Sequence, residues 1–212
     1  TGLMPPKKET IDQLYICSAK HWSHHIRESV MDRLRDDDEP CPLYSPSVTE
    51  RFIWNQSQSV ASLVNRLEDT SRGQVKEWIC KRAYGSAGRG LKRLNIHEPL
   101  DQPTIGWLKR SLPLGVTAEP WLDRVTDLSF HGHVDGQVIH YDGEVVGIVD
   151  RNGQFQGAHL GPAMSVLSQE LKRFLNGDGR DRRRLSRIGK TVIHTIGDQL
   201  RTIGFQGAFG VD

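Results

Sequence analysis

The chain has 212 residues, with 28 Lys and Arg against 26 Asp and Glu, for a net charge of +2. That length supports one sizeable core or two small lobes, and so slight a charge gives no reason to make nucleic acid the default partner. No apolar run approaches the roughly 18 residues of a membrane-spanning helix. The opening TGLMPPKKET is neither a signal peptide nor a transit peptide; lacking an initial Met, it reads as part of a longer chain. Cys17, Cys41 and Cys80 have no metal-ligand spacing and read as reduced thiols of a cytoplasmic protein, with one disulfide left open.

Taken in order, the first element is a helix in which Trp22, Ile26, Val30 and Leu34 recur every four residues. DDDEP ends it, and CPLYSPS reads as a loop. A second helix follows, with Ser57 as its N-cap and Val60, Leu63, Val64 and Leu67 as its apolar stripe. TSRGQ breaks it. The short apolar run Trp78-Ile79-Cys80 then reads as a strand leading into Lys81.

From about Gly115 the period changes to two. Leu128, Phe130 and Val134 alternate with Asp127, Ser129, His131 and His133. Asp135-Gly136, Asp142-Gly143 and Asn152-Gly153 are dipeptides that favour the positive φ angles of tight hairpins, so the segment reads as an antiparallel meander with three turns. Helical spacing returns in Met164, Leu167, Leu171 and Phe174, and again in Ile188, Val192, Ile196, Leu200 and Ile203, with Gly204 as a C-terminal stop. GAFGVD reads as a final strand. Helices, then strands, then helices and a strand give an α+β fold.

The segment after Lys81 raises the chemical question. KRAYGSAGRG carries Gly85, Gly88 and Gly90, with Ser86 and Arg89 among them. Glycine costs backbone entropy. Exposed N–H groups of such a loop can cradle phosphate oxygens, and Lys81 and Arg89 would add charge. The plain alternative is a solvent-exposed loop. The order G-x-x-G-x-G is not the dinucleotide fingerprint G-x-G-x-x-G.

These pieces together resemble the ATP-grasp ligases. WICKRAYGSAGRG is similar to that family's strand, lysine and closing glycine loop. TAEPWLDRVTDLSF, about thirty-eight residues on, resembles its hinge, and LRTIGFQGAFGVD its helix-to-strand passage ending in a metal-binding acid. ICSAKHWSHHI near the start is similar to an early segment in which a basic residue precedes a helix.

The resemblance implies an α+β fold of two lobes with an antiparallel sheet and a nucleotide cleft between them, divided here as residues 1–114 and 115–212. It implies that Lys81 contacts phosphate and that Gly85, Ser86, Gly88, Arg89 and Gly90 close over it. Glu119, Trp121 and Leu122 would hold the adenine edge, chiefly through backbone groups. Asp127 would be the acid after the hinge, Lys20 the first lysine and Asp212 a magnesium ligand. The implied activity is an ATP- and Mg²⁺-dependent carboxylate ligation through an acylphosphate, with ATP and a carboxylate as ligands and a homodimer as a compatible assembly. The family continues past this acid to a Glu-x-Asn that completes its magnesium site, so the chain reads as a nucleotide-binding core. A non-catalytic nucleotide-binding module of the same fold is the alternative.

Other features have plainer readings. Gly189-Lys190-Thr191 mimics the end of a phosphate loop, but Arg184 stands where its leading glycine should be, within a helical pattern. His131 and His133 would need a third metal ligand and read as a polar sheet face. His21, His24 and His25 read as a solvated helix start. Arg180–Arg184 could hold phosphate or RNA, but runs of this kind are commonly solvated, and a nucleic-acid binder is the weakest reading. Asp123 and Arg124 read as a surface ion pair.

Overall fold

The computed structural model describes residues 26, 29–34, 53–55, 59–71, 75–83, 90–122, 125–150, 154–176 and 183–211. The chain forms two compact units, Ser18–His24 with Tyr44–Asp123, and Thr1–Cys17 with His25–Leu43 and Arg124–Asp212.

The unit containing residues 44–123 is built on a four-stranded antiparallel sheet. Its strands are β1 (Ile53–Asn55), β2 (Glu77–Arg82), β3 (Leu91–Asn95) and β4 (Val116–Pro120), in the order β1-β4-β2-β3. Beyond residue 114, β4 therefore completes this first sheet. Alternation along the strands sends Trp78 and Cys80 of β2, Leu94 of β3 and Val116 and Ala118 of β4 into one core.

Helices α2 (Val60–Ser71) and α3 (Gln102–Ser111) bring Leu63, Leu67 and Leu108 to the same core, and Leu112 joins from the 3-10 turn Leu112–Leu114. Each such side chain, when fully buried, contributes roughly 1.5–3 kcal/mol. The cap of α2 is Ser59, whose Oγ accepts from the Ser62 N–H at 3.1 Å, two residues later than the expected Ser57. The stripe Leu63/Leu67 is as expected. Helix α3 was not anticipated. Its signal is Asp101, which accepts from the Thr104 N–H at 2.7 Å, with a proline in the first turn. That hydrogen bonding holds the Asp101 carboxyl below the usual range.

The other unit has a second antiparallel sheet of β5 (Asp127–Asp135), β6 (Val138–Val149), β7 (Phe155–His159) and β8 (Gly207–Val211), ordered β7-β6-β5-β8. The Asp135-Gly136 turn forms as expected, with Gly136 at φ 58°. Asp142-Gly143 does not turn the chain: both lie inside β6, where the register shifts opposite His131 and Gly132 and Gly143 takes φ 132°. Asn152 and Gly153 lie outside the described residues; β6 and β7 pair antiparallel around them.

Helix α6 (Arg184–Thr202) covers one face of this sheet with Ile188, Val192, Ile196 and Leu200 buried, as the period predicts. It stops at Gly204, φ 78°, whose N–H bonds Arg201 O at 2.9 Å while the Phe205 N–H bonds Leu200 O at 3.0 Å. The helix expected over Met164–Phe174 is two, α4 (Ala163–Val166) and α5 (Gln169–Leu175), because Ser168 starts a new one by capping the Leu171 N–H. Ala163, Leu167 and Leu175 are buried there, and Phe174 is exposed. Near the start, Ile26 and α1 (residues 29–34) are helical; Ile26, Val30 and Leu34 are buried, and Arg33 pairs with Asp198 of α6. Trp22, CPLYSPS and His21, His24 and His25 lie outside the described residues.

Candidate functional site

The core claims one face of the first sheet, so every other residue of β2 belongs to the opposite face: Glu77, Ile79 and Lys81. Register does the rest. Lys81 lies opposite Thr117 of β4, and Ile79 lies opposite Glu119. Lys81 and Glu119 are therefore diagonal neighbours on one face, and their side chains form an ion pair, with 29% and 37% of their surfaces exposed. A half-buried ammonium is thus fixed near the end of a strand, beside the start of the glycine segment.

That segment is tied at both ends. The Arg82 N–H donates to Gly90 O at 3.1 Å, and the Ala83 N–H to Gly115 O at 3.0 Å. Gly90 sits at φ 78°, a conformation that favours glycine. Gly85, Ser86, Gly88 and Arg89 lie outside the described residues. Arg82 faces away from Lys81. Its Nε donates to Ser111 Oγ at 2.9 Å, and its guanidinium lies 5.3 Å from the Trp107 ring centroid. It anchors the segment's base to α3, a role with no signal in the sequence.

At the end of β4, the Trp121 N–H donates to Glu77 O at 2.8 Å. That amide is engaged within the sheet. Trp121 is half-buried, and Leu122 is exposed. Arg93 of β3 pairs with Glu77 and holds its guanidinium 4.7 Å from the Trp121 ring centroid. Arg93 and Glu77 were not singled out from the sequence. Asp127 opens β5 in the other unit, opposite Gly147, and is half-buried. Lys20, Asp212, Asp123 and Arg124 lie outside the described residues.

The remaining candidates resolve into structure. Gly189 is a helical residue of α6 at which an added Cβ would come within 2.6 Å of both the Phe130 ring and the Tyr141 hydroxyl, so it is there for close packing. Burial, reinforced by the Glu144 carboxylate, pushes the Tyr141 phenol up. His133 Nδ1 lies 2.9 Å from both Asp142 oxygens, and its ring stacks on His140 at 4.4 Å. His131 is exposed. Among the described residues no three His, Cys, Asp or Glu group could hold a metal ion. Of the arginine run, Arg183 and Arg184 are described, as the N-cap and first residue of α6. Cys80 is a free, buried thiol, pushed up to about 12 by burial. Among the described residues no helix is long and apolar enough to cross a membrane.

No family model and no curated protein sequence matches the chain. Among solved structures, several ligases and synthetases are similar to it at low identity. The carboxyaminoimidazole ribonucleotide synthase from Asperigillus clavatus, complexed with ATP, has a TM-score of 0.47 and 13% identity over 86% of this chain and 38% of its own. The N5-carboxyaminoimidazole synthetase from Staphylococcus aureus, complexed with ADP, has 0.47 and 14% over 78% and 38%. The D-alanyl-alanine synthetase A from Vibrio cholerae has 0.45 and 8% over 75% and 44%. The chain spans less than half the length of each of these three.

Proposed function

We propose that this chain is the nucleotide-binding core of an ATP-dependent carboxylate ligase. The observation that carries the reading is the Lys81–Glu119 pair beside a glycine segment tethered at both ends. A lone surface lysine would sweep a wide volume. This one is held by a carboxylate on a two-strand scaffold, where it can meet a polyphosphate with little reorganisation.

In the proposed reaction a substrate carboxylate oxygen attacks the γ-phosphorus of ATP. An O–P bond forms, the bridging O–P bond breaks, and ADP leaves. An amine or thiol then attacks the acyl carbon, phosphate departs, and the nucleophile's proton passes to solvent. Negative charge accumulates on the transferred phosphoryl group. Lys81 supplies a fixed positive charge for it, and Gly85, Ser86, Gly88, Arg89 and Gly90 of the glycine segment would supply backbone N–H donors. Glu119 keeps the ammonium in place before nucleotide arrives.

Magnesium is part of the proposal. It is commonly bound by one or two carboxylates together with substrate phosphates, so a protein cage of three ligands is not required. Asp212 is the acid assigned to it, and when bound it would neutralise phosphate charge. A cytoplasmic setting, where thiols stay reduced, suits the free thiol of Cys80.

The test is titration with a non-hydrolysable ATP analogue, with and without Mg²⁺, on this chain and on Lys81→Ala. Binding that strengthens with Mg²⁺ and weakens in the folded variant is expected. Equal affinity in the two proteins would remove the phosphate role from Lys81, and no binding to the unaltered chain would end the reading.

A further inference from the structure

Glu77, Arg93 and Trp121 close on one another at the end of β4. The Glu77 backbone carbonyl accepts the Trp121 N–H at 2.8 Å, while its carboxylate pairs with the Arg93 guanidinium. Arg93 in turn lies 4.7 Å from the Trp121 ring centroid. One glutamate thus holds both the backbone after β4 and the cation that covers the adjoining indole. The Arg93 and Glu77 side chains are 48% and 39% exposed, a setting in which an ion pair adds little to stability.

We propose that Arg93 is a positioning residue that fixes the Trp121 indole as one wall of a purine-base site, with Glu77 fixing Arg93 in turn. The inference rests on the nucleotide reading above and adds a side-chain determinant at the base end. An aromatic wall binds a base by stacking. A ring that must be immobilised on binding forfeits part of that gain, and a ring already held by a guanidinium does not. The indole is the part of Trp121 that Arg93 holds, with the guanidinium 4.7 Å from the ring centroid. Immobilising one side chain in advance corresponds to about a two- to tenfold gain in affinity.

The experiment is calorimetric titration of the full chain with two half-ligands, adenosine for the base end and inorganic tripolyphosphate for the phosphate end. Arg93→Ala should weaken adenosine about two- to tenfold and leave tripolyphosphate unchanged. Arg93→Lys keeps the charge, loses the planar stack, and should fall between Arg93→Ala and the unaltered chain. Lys81→Ala should do the reverse, weakening tripolyphosphate and sparing adenosine. Arg93→Ala added to Trp121→Ala should cost no further adenosine affinity, since Arg93 acts through that ring. If Arg93→Ala and Arg93→Lys leave adenosine unchanged while Lys81→Ala still weakens tripolyphosphate, the positioning role is wrong and the nucleotide reading stands. If Arg93→Ala weakens both half-ligands alike, its effect is general charge, and the positioning role is again wrong. If neither half-ligand binds the unaltered chain, both proposals fall together.

Discussion

Lys81 and Glu119 form a pair whose value to stability and value to binding should separate. Both side chains are partly exposed, and such pairs contribute about 0–1 kcal/mol to folding. A charge-assisted hydrogen bond from lysine to phosphate is worth about 1.5–3 kcal/mol. Lys81→Ala should therefore leave the urea midpoint almost unmoved while weakening ATP about 10- to 100-fold. A large loss of stability would show that the lysine is structural. Glu119→Gln should preserve the fold by the same reasoning, and it removes the negative charge paired with Lys81. With Glu119 no longer holding Lys81 ready, tripolyphosphate should bind more weakly than to the unaltered chain; equal or tighter binding would mean that Glu119 competes for the ammonium more than it orders it. Cys80 is the opposite case, a thiol packed into the core of the first sheet. Burial pushes its thiol up to about 12, so below that pH it stays neutral and shielded. Iodoacetamide applied to the folded protein, followed by peptide mapping, should leave Cys80 unlabelled and label it only after denaturation.

At the scale of elements, α6 shows why a local motif must be weighed against its packing. Gly→Ala in an exposed helix interior gains about 0.8–1.0 kcal/mol from propensity. At Gly189 the added Cβ would lie 2.6 Å from the Phe130 ring and the Tyr141 hydroxyl, and at Gly197 it would lie 2.7 Å from Ile139. Overpacking of this kind typically costs about 1–3 kcal/mol, so it should exceed the propensity gain. Gly189→Ala is thus expected to lower the denaturation midpoint, and a raised midpoint would show that α6 can move off the sheet. Lys190→Ala, exposed on the same helix, should leave nucleotide binding unchanged. Period and stop signals made α6 readable in advance, through Ile188, Val192, Ile196 and Gly204. Asp142-Gly143 misled because a turn dipeptide reports only local preference. In the sheet, pairing of β5 with β6 on both sides of the dipeptide outweighs that preference and absorbs Gly143 as an irregularity in the ladder. Ser168 was likewise hidden by a spacing that fits one helix as well as two.

For the whole molecule, the candidate site was half legible. Lys81 and Glu119 could be singled out, but they lie far apart in sequence, and only the β2–β4 register makes them neighbours. Glu77 and Arg93 were invisible because their meeting depends on β2 pairing with β3 and on where the chain goes after β4. Arg82 gave no sign that it would face α3. Distant register of this kind is set by packing, which no local pattern encodes. The consequence can be measured on the intact chain. A ligand that binds only the folded state stabilises it by about 2.7 kcal/mol at a hundredfold excess over Kd. For a chain of about this size each kcal/mol moves the midpoint by roughly 2–4 °C, so a shift of about 5–10 °C is expected with ATP and Mg²⁺. A thirtyfold weaker variant at the same ATP concentration retains about a third of the stabilisation, by the same relation. Thermal melts of the unaltered chain and Lys81→Ala at one ATP concentration therefore read binding and its dependence on Lys81 together. Equal shifts would place the nucleotide away from Lys81.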